Sequence, residues 1–152
     1  MLSERDYMQR ALELAAKARP ISPPNPSVGC VIVRDGLVLG EGFTQKTGSD
    51  HAEIQAIKNA QANGFSVEGA IVYVTLEPCS HYGRTPPCAL RLIKEKVARV
   101  VVACLDPNPL VAGRGVSMLR EAGIDVTVGL LQQEAWQMNA GFMTRMTEGR
   151  PW

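Results

Sequence analysis

The feature that most constrains the fold is an almost unbroken apolar run, ARVVVACL, at residues 98–105. Such a run is typical of a central strand with both faces covered. A second apolar run, AIVYVTL, occupies residues 70–76, and helix-like patterns lie between and after the two runs. Strands that alternate with helices indicate a sheet enclosed between two layers of helices.

The N-terminal third adds a helix and a hairpin to this arrangement. Ser3 as a cap, followed by apolar residues at helical spacing, predicts a first helix that ends near Arg19-Pro20. The proline-rich residues 20–29 predict a rigid loop without helix. Two β-branched runs between Gly29 and Phe43, separated by Asp35-Gly36, predict a β-hairpin.

The remaining patterns complete an α/β fold. Helices are predicted over residues 51–63, 87–96, 116–122 and 131–146, and a short strand over 124–128. Together these elements predict a three-layer α/β/α sandwich around a mixed sheet of roughly five strands. The last helix contains Trp136, Met138, Phe142 and Met146, which either pack on the sheet, the favoured interpretation, or support a homo-oligomer.

Composition restricts the classes of partner. The 152 residues include 16 basic and 15 acidic side chains, a formal charge of +1, which argues against a nucleic-acid partner. No run approaches the roughly 20 apolar residues that span a bilayer, so no membrane partner is expected. The charged N-terminus lacks the apolar core of a signal peptide. We therefore expect a cytoplasmic protein whose four cysteines stay reduced.

Three candidate metal ligands, His51, Cys79 and Cys88, stand at the ends of predicted elements. Asp50 is a candidate cap for the second helix, which would place His51 in its first turn. Cys79 follows a strand, and Cys88 begins a helix after two prolines. These positions predict that the three residues converge at the carboxyl ends of strands, where open α/β sheets place their ligands. Imidazole and thiolate groups suit zinc, and a catalytic zinc uses three protein ligands with one position left for water.

Glu53 follows His51 by two residues and is a candidate proton carrier. Hydrolysis needs a group that takes a proton from the attacking water and delivers it to the leaving group. An H-x-E sequence with later P-C and Cys residues is the known signature of zinc deaminases. That signature has two residues between its cysteines, whereas eight residues, SHYGRTPP, separate Cys79 from Cys88 here.

Each of these residues also has a simpler interpretation. Asp50 and Glu53 have the spacing of a capping box. Cys79 and Cys88 would form a disulfide in an oxidising compartment. Lone cysteines are commonly packing residues, the role that we assign to Cys30 and Cys104. Because the H-x-E, the P-C and the second cysteine occur together at element boundaries, zinc is the favoured interpretation.

Four segments resemble a known family: PNPSVGCVIV (24–33), HAE (51–53), YVTLEPCSHYGRTPPC (73–88) and DPNPLVAGRG (106–115). The chain resembles the cytidine-deaminase-like zinc hydrolases and, among them, the deaminase domains of riboflavin-biosynthesis deaminase-reductases. The eight-residue gap is the most specific point of similarity. The resemblance implies one zinc per chain and hydrolysis of a phosphorylated pyrimidine, 2,5-diamino-6-(5-phosphoribosylamino)pyrimidin-4(3H)-one, to 5-amino-6-(5-phosphoribosylamino)uracil and ammonia.

The resemblance also implies roles for individual residues. His51, Cys79 and Cys88 would hold zinc, and Glu53 would move protons. The implied substrate-binding residues are Asn25, Thr44, His81, Arg84, Asp106 and Asn108. Arg84 would hold the 5′-phosphate, and Thr44 stands where the family usually has histidine. Asn25, Asp106 and Asn108 equally suit ordinary turns. His81 is not assigned as a fourth ligand, because a closed zinc site has no position for water.

The resemblance also predicts the domain organisation. Residues 1–147 are expected to form the deaminase domain, and residues 148–152 the start of a linker toward a covalently linked reductase domain absent from this chain. No NADPH site is therefore expected in these residues. Two alternatives stay open: another nucleobase, nucleoside or tRNA-editing deaminase of the same fold, and a non-catalytic module that zinc stabilises.

Overall fold

Five strands and five helices alternate along the part of the chain that the computed structural model describes, residues 2–18, 27–44, 51–80 and 86–139. The strands are β1 (Gly29–Arg34), β2 (Leu37–Phe43), β3 (Ile71–Leu76), β4 (Arg99–Cys104) and β5 (Asp125–Val128). The helices are α1 (Glu4–Ala18), α2 (Ala52–Ala62), α3 (Cys88–Lys94), α4 (Arg114–Glu121) and α5 (Gln132–Met138).

The strands form one mixed sheet in the order β2-β1-β3-β4-β5. β1 pairs antiparallel with both β2 and β3, whereas β3, β4 and β5 run parallel. Asp35 and Gly36 join β1 to β2 with φ angles of 51° and 78°. Two consecutive positive φ angles define the type I′ turn that matches the twist of a hairpin, and they confirm the turn that the sequence predicted.

Helices cover both faces of the sheet, as the apolar run at 98–105 predicted. Along β4, Val100 and Val102 enter a core cluster with α2, α3 and α4, while Val101 and Ala103 enter a second cluster with α1 and α5. Alternate side chains of a strand point to opposite faces, so a central strand needs apolar residues at every position. The three-layer α/β/α sandwich is confirmed.

The first helix of the sandwich begins and ends as predicted. The Ser3 hydroxyl accepts a hydrogen bond from the Asp6 backbone N–H at 3.3 Å, and the Ser3 N–H donates to the Asp6 carboxylate at 2.9 Å. This reciprocal pair is a capping box. None of the helices in the described ranges is long and apolar enough to cross a membrane.

α2 approaches the sheet at two glycines of β2. A Cβ atom on Gly42 would lie 2.5 Å from the carbonyl oxygen of Ala52, and one on Gly40 would lie 2.4 Å from that of Ala56. Distances this short are steric overlap, so only glycine permits the contact between helix and strand. The backbone of β2 therefore sets the position of the beginning of α2, where Glu53 lies.

α5 ends at Met138, and residues 140–146 of the predicted helix lie outside the described residues. Tertiary hydrogen bonds account for this end. The amide oxygen of Asn139 accepts the N–H of Ser27 at 2.7 Å, and its amide nitrogen donates to the Ser27 carbonyl at 2.8 Å. Trp136 and Met138 pack against the core, as favoured above. The other two apolar residues of the predicted helix, Phe142 and Met146, lie outside the described residues.

Candidate metal centre and active site

Three chain segments bring His51, Cys79 and Cys88 together. His51 immediately precedes α2, Cys79 lies three residues beyond β3, and Cys88 is the first residue of α3, after Pro87. Proline suits the beginning of a helix because the N–H it lacks would have no partner within the helix. The predicted convergence of the three candidate ligands near the carboxyl end of β3 is confirmed.

His51 differs from the prediction by one position. It is the N-cap residue of α2, with extended dihedral angles of φ −68° and ψ 167°, and does not lie in the first helical turn. An N-cap residue has non-helical dihedral angles. The extended backbone of His51 therefore sets the direction in which its imidazole leaves the chain. The predicted cap, Asp50, lies outside the described residues.

The ligand atoms of the three residues form a compact cluster. They all lie within 4.8 Å of one another. His51 Nδ1 is 3.2 Å from Cys88 Sγ and 3.9 Å from Cys79 Sγ. One imidazole nitrogen and two sulfurs at such separations match the donor set of a zinc site with one position left open. The cluster can therefore hold a metal ion.

The two thiols differ in acidity. The Cys88 thiol beside Cys79 Sγ lowers the pKa of Cys79 to about 4, and the nearby His51 acts in the same direction. The backbone N–H of Cys88 also donates to Cys79 Sγ at 3.1 Å. The pKa of Cys88 is raised, because its thiol is the donor of this pair and because it is buried. The Cys79 thiol therefore loses its proton more readily than the Cys88 thiol does.

Glu53 lies in the first turn of α2 and is only 4% exposed. Burial raises the pKa of its carboxyl to about 7, and the nearby Cys79 thiolate adds to this rise. A carboxyl that titrates near neutral pH accepts and releases protons under the conditions in which enzymes operate. Glu53 therefore has the burial and charge environment of a proton carrier.

The predicted substrate residues within the described ranges have defined hydrogen bonds. Thr44 follows β2, where its hydroxyl accepts the Val28 N–H at 3.0 Å and its own N–H donates to the Val28 carbonyl at 3.0 Å. Asp106 and Asn108 follow β4, and Asp106 Oδ1 accepts the Asn108 N–H at 2.9 Å. The other three predicted substrate residues, Asn25, His81 and Arg84, lie outside the described residues.

Glu77, a buried carboxylate two residues before Cys79, was not among the predicted site residues. It accepts hydrogen bonds from the backbone N–H groups of Asp106, Gly113 and Val116 at 2.9 to 3.0 Å. A charged residue directly after an apolar strand was the available signal, because a buried carboxylate requires hydrogen-bond partners. Those partners lie 29 to 39 residues away, so the sequence did not identify them.

The other two cysteines do not belong to the group of candidate metal ligands. All four cysteines fall within the described ranges, and all four are free thiols. Cys30 is fully buried within the core cluster that includes α2, and Cys104 is 2% exposed in the opposite cluster. Burial raises the pKa of Cys104 to about 12. These surroundings match the predicted packing roles of Cys30 and Cys104.

Comparison with known proteins identifies the class. Residues 1–104 match the family described as the cytidine and deoxycytidylate deaminase zinc-binding region, and this match includes all three candidate ligands. The match covers more than half of the chain, which therefore belongs to the cytidine and deoxycytidylate deaminase family. The family that the sequence motifs indicated is confirmed.

Individual relatives are more specific. The chain is 54% identical to the riboflavin biosynthesis protein RibD of Escherichia coli K12, with 99% of this chain and 40% of that protein aligned. It is 47% identical to a diaminohydroxyphosphoribosylamino-pyrimidine deaminase of Buchnera aphidicola, over 95% of this chain and 97% of that protein. The RibD structure from Acinetobacter baumannii superposes with a TM-score of 0.91 at 51% identity, covering 97% of this chain and 41% of that one. The chain thus spans about two fifths of the RibD proteins and nearly all of the Buchnera deaminase.

Proposed function

We propose that this chain converts 2,5-diamino-6-(5-phosphoribosylamino)pyrimidin-4(3H)-one to 5-amino-6-(5-phosphoribosylamino)uracil and ammonia in riboflavin biosynthesis. The observation that carries the proposal is the 47% identity to the Buchnera deaminase, whose length the chain matches almost completely. Because this chain covers 97% of that deaminase, the name of the relative refers to a protein without an additional large domain. The grouping of His51, Cys79 and Cys88 supports the same chemistry.

In this proposal His51, Cys79 and Cys88 hold one zinc ion per chain. A nitrogen and two sulfurs that lie within 4.8 Å of one another fit a zinc site with three protein ligands. Zinc bound there would acidify water and so supply a nucleophile at neutral pH. The remaining steps are assigned to side chains of this chain.

Glu53 is proposed to move the proton. It accepts a proton from the attacking water as the water oxygen bonds to C2 of the pyrimidine and the C2=N1 double bond opens. Of the two protons of that water, one passes to N1 of the ring and the other to the departing amino group. The C–N bond breaks and the amino group leaves as ammonia, so the atoms of one water are divided between the two products. The charge of a bound zinc ion would favour the ionised form of Glu53 at the start. The burial of Glu53 favours the protonated form that follows.

Substrate binding is proposed to involve the six residues that the family resemblance implies. Arg84 would pair with the 5′-phosphate through charge-assisted hydrogen bonds. Because the hydroxyl of Thr44 already bonds with the backbone of Val28, Thr44 contributes by shaping the binding site. The other proposed contacts are Asn25, His81, Asp106 and Asn108.

The proposal also covers the surroundings of the domain. Residues 1–147 would form the deaminase domain, and residues 148–152 would begin a linker to a reductase domain. The greater length of the RibD relatives supports this part of the proposal. The domain itself would have neither an NADPH site nor a nucleic-acid partner. We place it in the cytoplasm, because metal-binding thiols are stable in a reducing compartment.

A substrate comparison tests the function. Purified zinc-loaded protein should release ammonia from the diaminopyrimidinone ribotide, with a much lower kcat/KM for cytidine and adenosine. The Cys79→Ser variant, treated identically, serves as the control for contaminating deaminases. A preference for cytidine or adenosine would contradict the substrate assignment, and no ammonia from any of the three would favour the non-catalytic zinc module.

A further inference from the structure

Glu77 occupies an unusual position for a carboxylate. It directly follows β3, is 6% exposed, and its backbone N–H donates to the Cys104 carbonyl at 2.9 Å. Removing a carboxylate from water is costly unless hydrogen bonds replace its hydration. The contacts of its two oxygens therefore reveal which groups the structure holds in place.

Three backbone N–H groups from one later part of the chain supply those hydrogen bonds. Glu77 Oε1 accepts from Asp106 at 3.0 Å and from Gly113 at 2.9 Å, and Oε2 accepts from Val116 at 3.0 Å. Gly113 is the N-cap of α4, and Val116 lies in the first turn of α4. Helix N-termini leave such N–H groups without intrahelical partners, and a negative charge there is favourable.

A second contact holds α4 against the residue that precedes Cys79. A Cβ atom on Gly115 would lie only 2.1 Å from the carbonyl oxygen of Pro78 and 3.2 Å from Glu77 Cγ. The helix thus contacts Pro78 through its own backbone. α4 therefore fixes both Glu77 and Pro78. Because these two residues directly precede Cys79, α4 also helps to set the position of Cys79.

We propose that Glu77 is a positioning residue that joins Cys79 to the β4–α4 segment, residues 105–113. Its carboxylate holds both ends of this segment, at Asp106 and Gly113, and its backbone leads in two residues to Cys79. One side chain therefore sets the relative positions of a metal ligand and of two proposed substrate contacts, Asp106 and Asn108. This inference rests on the proposed function only for the roles of those two contacts.

A purely structural role makes a different prediction. A carboxylate that caps α4 for stability alone would affect the free energy of unfolding, and the cluster of Cys79 with His51 and Cys88 would keep its affinity for zinc. A positioning residue affects the zinc affinity and kcat/KM beyond any loss of stability. Residues that support metal ligands typically change affinity or activity by about 10- to 100-fold when substituted.

Glu77→Gln is the mildest test, because glutamine has the same shape and one acceptor oxygen. Its amide nitrogen must face at least one of the three N–H groups, so at least one hydrogen bond is lost. We expect faster hydrogen exchange at the Asp106, Gly113 and Val116 amides. We also expect zinc affinity to fall about tenfold and kcat/KM to fall about 10- to 100-fold, partly through a higher KM.

Val67→Ala is the matched control. Val67 is fully buried in the core and precedes β3, at the end of that strand away from Glu77. This variant should lower the thermal midpoint with zinc affinity and kcat/KM close to wild type. If Glu77→Gln lowers the midpoint equally and also retains its zinc affinity and kcat/KM, the positioning role is wrong.

The unsubstituted protein supplies a test that does not depend on the variant folding. In wild type, the amides of Asp106 and Gly113 should exchange as slowly as that of Val116, although both precede α4. Rapid exchange at either amide would overturn the proposal. Amide exchange and zinc affinity need no substrate, so they decide the role of Glu77 even if the ribotide proves to be the wrong substrate.

Discussion

Different interactions fix the two sides of the candidate metal site, His51 on one side and Cys79 on the other. On the histidine side, the beginning of α2 rests on Gly40 and Gly42 of β2, where backbone meets backbone. On the cysteine side, Glu77 joins the residues before Cys79 to the β4–α4 segment through hydrogen bonds. The first arrangement depends on the absence of side chains and the second on one charged side chain.

The difference shows which substitutions each side tolerates. A steric contact between backbones has no adjustable partner, so any added atom displaces the helix. A hydrogen-bonded carboxylate keeps its partners in place only while an acceptor is present at each N–H. The histidine side should therefore respond to side-chain volume, and the cysteine side to charge and hydrogen bonding.

The largest effect is expected for Glu53, on the histidine side, where a variant distinguishes proton transfer from a role in holding the metal. Glu53→Gln should reduce kcat by about 10²- to 10⁴-fold, because the amide cannot carry the proton. Zinc content, measured by elemental mass spectrometry, should stay near one ion per chain. Loss of zinc would instead indicate that Glu53 supports the cluster. Glu95→Gln is the control, since Glu95 is a partly buried glutamate that pairs with Arg91, and its kcat should be close to wild type.

A smaller effect distinguishes the two glycines. Gly42→Ala and Gly40→Ala should each destabilise the fold by about 1–3 kcal/mol through overpacking. Only Gly42→Ala should also weaken zinc binding, by about tenfold, because its new methyl group meets Ala52 beside His51. Zinc competition titrations with a chelator measure the difference. Equal zinc affinity in the two variants would mean that the contact at Gly42 does not position His51.

The cysteine side predicts proton release on zinc binding. At pH 8 the Cys79 thiol, with its pKa lowered to about 4, is already ionised, whereas Cys88, with its raised pKa, retains its proton. Zinc binding should therefore release one proton from Cys88 and up to one more from the zinc-bound water, whose pKa falls to about 7 on zinc, and affinity should rise with pH. Calorimetry in buffers of different ionisation enthalpy counts the protons. A count near zero would contradict a protonated Cys88, and a count near three would mean that Cys79 is protonated as well.

The smallest effect is expected for the cysteines outside the cluster. Cys30→Ala and Cys104→Ala should each leave zinc content unchanged and lower the free energy of unfolding by about 1 kcal/mol. Both side chains are buried in the core, where alanine leaves a small cavity. Chemical denaturation and metal analysis measure the two quantities. A drop in zinc content would show that the cluster extends beyond the three proposed ligands.

Patterns local in sequence predicted most of the fold. The run ARVVVACL predicted a strand covered on both faces, and Asp35-Gly36 predicted the hairpin turn, because both depend on residues close together in the chain. The predicted meeting of His51, Cys79 and Cys88 succeeded for a related reason. Each of the three stands at the end of a strong helix or strand pattern, and such ends meet at one edge of the sheet.

The errors occurred where distant residues decide the local structure. α4 begins at Arg114 and not at residue 116, although Gly115 disfavours helix. Position 115 requires glycine because it contacts the backbone of Pro78, 37 positions earlier. α5 ends at Met138, followed by Asn139, which bonds with Ser27 from 112 positions earlier. Neither contact leaves a periodic signal in the sequence.

The pair of hydrogen bonds between Asn139 and Ser27 also determines how the domain would bear mechanical load. Ser27 lies two residues before β1, which pairs with β2 and β3 inside the sheet. Tension applied to the chain beyond residue 139 would pass through a side-chain amide to the strand that joins the hairpin to the parallel strands. The sheet interior, and not α5 alone, would resist the pull.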